Sequence, residues 1–81
     1  MQVLYFAWLR ERTGVASEVV ESDAATVADL VSALAARSEG HALAFADLSS
    51  VRVAVNQTMV GLDAPLAGAQ EVAFFPPVTG G

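Results

Sequence analysis

The sequence predicts an α+β domain, a small mixed sheet packed on one main helix. Three observations carry that expectation. Thr26 to Ala35 holds the clearest helical periodicity in the chain. Short apolar stretches bounded by turn residues lie on both sides of it, too brief for helices and suited to strands. The last of them, Glu71–Phe75, runs into Pro76-Pro77. Proline has no N–H to give to a sheet ladder, so strand pairing must stop there.

Taken in order, Val3-Leu4-Tyr5-Phe6-Ala7-Trp8-Leu9 is a nearly continuous apolar run rich in aromatics. It is expected to be a strand buried on both faces in the middle of the sheet. Arg10 to Gly14 breaks it with charge and a glycine, fitting a short helical turn or loop. Ser17–Ser22 is a weaker strand that would close a hairpin with the first. Thr26-Val27-Ala28-Asp29 resembles a capping box, with Asp in place of Glu or Gln. Val27, Leu30, Val31, Leu34 and Ala35 then fall on one helical face. Arg37 lies near the C-terminal end, where the macrodipole favours a cation, and Gly40 is the expected stop. Residues His41 to Asp47 could add a turn or two, with Leu43 and Phe45 available for packing. Val51–Asn56 alternates as a half-buried strand, Asn56-Gln57 turns into Thr58-Met59-Val60, and Leu62–Gly68 connects to the final strand. Strand, strand, helix, strand, short strand, strand is the order of the β-grasp, or ubiquitin-like, fold. Residues 1–75 would form the domain and 76–81 an extended functional tail.

Eighty-one residues suffice for one modest core. The 54% hydrophobic content leaves apolar surface for a partner to cover. Net charge is −5, with four arginines and no lysine, so nucleic acid and anionic membranes are poor partners. There is no cysteine, hence no disulfide, thiol nucleophile or thiolate metal site. No apolar run reaches a membrane span and Met1-Gln2-Val3 lacks the basic start of a signal peptide, so a cytoplasmic location is expected. His41, the only histidine, is expected to be a surface or capping residue rather than a general base. The nine carboxylates show no ligand spacing, and no glycine-rich loop suits a phosphate. No catalytic residue, metal or bound cofactor is expected in this chain.

What chemistry remains sits at the end, Pro76-Pro77-Val78-Thr79-Gly80-Gly81. The prolines stiffen the exit into an extended segment reaching roughly 15–20 Å. Gly80 and Gly81 lack a Cβ, so the tip can enter a slot closed to other residues. The terminal carboxylate is the expected functional group, and the rest of the chain presents it.

These residues resemble the family of small sulfur-carrier subunits of molybdopterin synthase (MoaD type). The resemblance lies in Val55-Asn56-Gln57-Thr58, in Asp63-Ala64-Pro65-Leu66 and above all in Glu71 through Gly81, with Phe6-Ala7, Arg10-Glu11 and Gly14 fitting at the start. It implies a β-grasp fold and two macromolecular partners. An adenylyltransferase resembling ubiquitin-activating enzymes would spend ATP to adenylate the Gly81 carboxylate, and sulfur would replace the adenylate. The large catalytic subunit of a heterotetrameric synthase would then take the tail from Pro76 to Gly81 and pass sulfur into the dithiolene of molybdopterin. The resemblance also implies an apolar docking patch on the sheet made of Phe6, Met59 and Phe75. A carrier for thiamine, cysteine or tRNA thiolation shares the fold and the diglycine end. A ubiquitin-like tag conjugated to lysines, or a plain binding domain, are the rivals of another class.

Overall fold

The computed structural model describes residues 1–77. In chain order its elements are β1 (Gln2–Tyr5), α1 (Trp8–Thr13), β2 (Ser17–Val19), α2 (Val27–Ala35), α3 (Glu39–Ala44), a 3-10 turn (Leu48–Ser50), β3 (Arg52–Val55), β4 (Thr58–Val60) and β5 (Glu71–Phe75). The strands form one sheet in the order β2-β1-β5-β3-β4. β1 and β5 run parallel, and every other pair is antiparallel. This is the β-grasp arrangement, with the last strand in the centre of the sheet.

Local chemistry accounts for the elements that were legible from the chain. Thr26 caps α2, its hydroxyl accepting from the Asp29 N–H at 3.2 Å. Val27, Leu30, Val31 and Leu34 bury the face of α2 that the periodicity marks. Each such side chain contributes about 1.5–3 kcal/mol on leaving water. Asn56 and Gln57 both have positive φ, 48° and 70°, and close the two-residue β3–β4 hairpin as a type I′ turn does. The core face of the sheet supplies Val3 and Tyr5 from β1, Val53 from β3, and Val72 and Phe74 from β5. Phe45 meets Phe74 edge-on at 5.0 Å between ring centroids.

Three expectations are corrected. The opening apolar run is not one strand buried on both faces. β1 stops at Tyr5, and Trp8 already begins α1. Ala7 makes the turn with φ 54° and ψ −131°, a conformation that costs a residue with a Cβ on the order of 1–3 kcal/mol. That turn leaves Phe6 exposed while Leu9 is fully buried. β1 is flanked on both edges but lies beside the central strand, not at the centre.

Gly40 does not end the main helix. α2 ends at Ala35, and Gly40 lies in the first turn of α3, which Ser38 caps. A Cβ on Gly40 would run into the backbone carbonyl of Arg12, so glycine is what lets α3 cross close to α1.

His41 is not a surface residue. Its position in the first turn of α3 turns the ring inward, where it is 7% exposed. One ring nitrogen, Nδ1, lies 2.7 Å from Ser38 Oγ, and Nε2 lies 2.8 Å from Glu18 Oε2. The Tyr5 hydroxyl donates to that same Glu18 oxygen at 2.7 Å, and Arg37 pairs with the other at 3.0 Å.

Candidate functional site

The helices cover one face of the sheet and leave the other open. Side chains alternate along a strand, so the residues beside the core positions point to the open side. The register then lines them up in rows. Leu4 of β1 faces Ala73 of β5, which faces Ala54 of β3, which faces Met59 of β4. Phe75 faces Arg52, and Phe6 follows Tyr5 alongside, its N–H donating to the Phe74 carbonyl at 3.1 Å.

Two alanines stand in the middle of this surface with larger side chains around them. The result is a shallow apolar depression lined by Leu4, Phe6, Ala54, Ala73 and Phe75, with Gln57 and Glu71 at one end. Met59 stands at the edge, 58% exposed, and Phe6 is 49% exposed. These apolar side chains stand together on the open side of the sheet. The fold thus gathers Phe6, Met59 and Phe75 onto one face, although they lie far apart in the chain.

Leu4, Ala54 and Ala73 belong to the same surface and escaped the sequence reading. Counting by twos from Phe75 would have found Ala73, but Leu4 and Ala54 join it only through pairing between distant strands. Asn56 was expected as a turn residue and as part of a matching motif, and its side chain does further structural work. Its side-chain Oδ1 accepts from the N–H groups of Gln70 and Glu71 at 2.9 and 3.1 Å, pinning the start of β5.

Beyond Phe75 the chain leaves the sheet. Pro76 and Pro77 are half-buried and form one side of a groove whose other residues are Trp8, Arg12, Asp47 and Ser50. Arg12 lies over the Trp8 ring at 4.5 Å, a cation–π contact that stiffens this wall. Val78, Thr79, Gly80 and Gly81, the remainder of the assigned tail, lie outside the described residues.

The tightest cluster of ionisable groups, Tyr5, Glu18, Arg37 and His41, is on the helix side of the sheet. Burial pushes the Glu18 carboxyl up, but hydrogen bonds from Tyr5 and His41 and the nearby Arg37 charge outweigh it and hold the group below its usual range. Burial, reinforced by the bond to Glu18, drives the Tyr5 phenol far up. The cluster ties β1, β2 and α3 together and faces away from the open surface. Among the described residues no three histidine, aspartate or glutamate side chains are grouped to hold a metal ion. No helix among them is long and apolar enough to cross a membrane.

A ubiquitin-like domain is thereby defined, one whose central last strand carries an open apolar face straight into a Pro-Pro and diglycine end. The chain belongs to the ThiS family, whose model matches residues 3–81. It is 48% identical over 81 residues to the molybdopterin synthase sulfur carrier subunit of Escherichia coli (strain K12), covering 100% of this chain and 99% of that protein. It is 41% identical to the protein of the same name from Haemophilus influenzae, with the same coverage. Among solved structures, SAMP1 from Haloferax volcanii superposes with a TM-score of 0.78 at 32% identity, covering 100% of this chain and 98% of that one.

Proposed function

We propose that this chain is the sulfur-carrier subunit of molybdopterin synthase, delivering sulfur from its C-terminal glycine to the dithiolene of molybdopterin. The observation that carries the reading is the 48% identity to a carrier of that name over the whole chain, diglycine end included. The geometry agrees with it. Phe75 belongs at once to the open apolar face and to the last position of β5, so the docking surface and the root of the cargo tail are adjacent.

A carboxylate is a poor electrophile until one oxygen becomes a good leaving group. In the proposed cycle the Gly81 carboxylate attacks the α-phosphorus of ATP on an adenylyltransferase partner and pyrophosphate leaves. A sulfide-level donor then attacks the carbonyl carbon, its C–S bond forms as the C–O bond to AMP breaks, and a thiocarboxylate results. That sulfur is a nucleophile without any cysteine. The large catalytic subunit supplies the acids and bases, and hydrolysis after sulfur transfer returns the carboxylate. The carrier itself performs no catalysis.

Loading is tested by incubating the chain with an activating enzyme, ATP and a sulfide donor, then cleaving after Glu71. The expected product is a Val72–Gly81 peptide heavier by the replacement of one oxygen with sulfur, a gain that requires ATP and disappears on hydrolysis. The peptide contains no methionine or tryptophan, so oxidation cannot imitate the change. An unmodified peptide from folded protein under all loading conditions overturns the reading. Recovery of the chain in isopeptide linkage to lysine would replace it with a conjugated tag.

A further inference from the structure

Hydrophobic burial is non-directional, and the apolar row Leu4–Ala73–Ala54–Met59 does not by itself tell a partner which way round to bind. Orientation matters for a chain that offers its tail from one end of the face. A partner seated half a turn wrong would find the tail pointing away from it.

The strand residues on the open side include two charges. Arg52 of β3 stands opposite Phe75, at the end where the tail departs. Glu71 begins β5 at the other end, in the stretch bordering Gln57. Four residues of strand separate the two ends, about 13 Å at 3.3 Å per residue. That exceeds the screening length of roughly 8 Å at physiological salt, so each end is read independently. Among the described residues the ion pairs are Glu18 with Arg37 and Glu18 with His41, and neither Arg52 nor Glu71 takes part in one. Arg52 is nevertheless held in place. Its Nη1 donates to the carbonyls of Ser49 and Val51, each at 3.1 Å.

We infer that Arg52 and Glu71 set the orientation in which this face docks. The partner's matching surface then carries an acidic side chain at the tail end and a basic one at the far end, flanking an apolar centre. The inference rests on the carrier reading, because the partner concerned is the one that receives the tail. Charges at the rim of an apolar interface steer encounter and fix register more than they add affinity.

The test measures association kinetics with the large synthase subunit of the same organism. The variants are Arg52→Glu, Arg52→Met, Glu71→Lys and Glu71→Gln, with Glu39→Lys on the helix side as a control for net charge. At low salt each reversal on the open face should slow association about tenfold. The neutral variants should slow it severalfold, and Glu39→Lys should not slow it. The differences should shrink in about 1 M salt, where screening acts within roughly 3 Å. Melting curves identify any reversal that fails to fold, and the neutral variants then decide. Association of Arg52 and Glu71 variants at the wild-type rate overturns the inference while leaving the carrier reading intact. Absence of a wild-type complex, or self-association of the chain in its place, overturns both.

Discussion

At Glu18 three parts of the molecule meet on one carboxylate: Tyr5 from β1, His41 from α3, and Arg37 from the segment joining α2 to α3. The partners hold its pKa below the ordinary value of about 4.3. A carboxyl lowered by folding contributes stability that is present above that ordinary value and is lost as pH falls through the lowered one. Tyr5 has the opposite sign. Its raised pKa contributes below about pH 10 and is lost above it. Glu18→Ala is therefore expected to cost about 2 kcal/mol at neutral pH, the scale of a charged hydrogen bond. The gap to wild type should narrow as pH falls below the ordinary carboxylate value and through the lowered one, where the native carboxylate itself becomes protonated. Urea unfolding at neutral and acid pH checks both statements.

At the scale of an element, β5 shows how one strand serves two purposes. Its neighbours β1 and β3 bury the backbone on both edges. Phe74 is fully buried against Tyr5 and Phe45, while Phe75, one residue on, faces the open side. Phe75→Ala should weaken the complex with the large subunit by about 2 kcal/mol, a hot-spot loss, with little change in melting temperature. Phe74→Ala should do the reverse, costing about 3–5 kcal/mol of fold stability. Binding calorimetry beside a thermal melt separates the two. A Phe75 variant that is stable and binds like wild type would refute the docking role.

The sheet's helix side is closed by an apolar core, and its other side offers a flat surface whose central strand leads into the tail. If the terminal carboxylate carries the cargo, adding one residue after Gly81, or deleting Gly81, should abolish sulfur delivery and leave thermal unfolding unchanged. Measuring synthase turnover and the melt on the same samples tests this. Retained turnover in the extended variant would contradict it.

What the sequence determined alone were features whose interactions close within a few residues. Thr26 and the α2 face, the Asn56-Gln57 turn and the proline stop after Phe75 are of this kind, because capping, helical spacing, positive φ and the missing proline N–H are local properties. Tertiary structure decided whatever depends on distant neighbours. The apolar run at the start could not show that the chain turns at Ala7 and exposes Phe6. His41 was expected at the surface or at a helix cap, and only Glu18, 23 residues earlier, supplied the partner that allows its burial. The open apolar face exists only because parallel pairing with β1 and antiparallel pairing with β3 set Leu4 and Ala54 on either side of Ala73, a juxtaposition that register creates and no local pattern encodes.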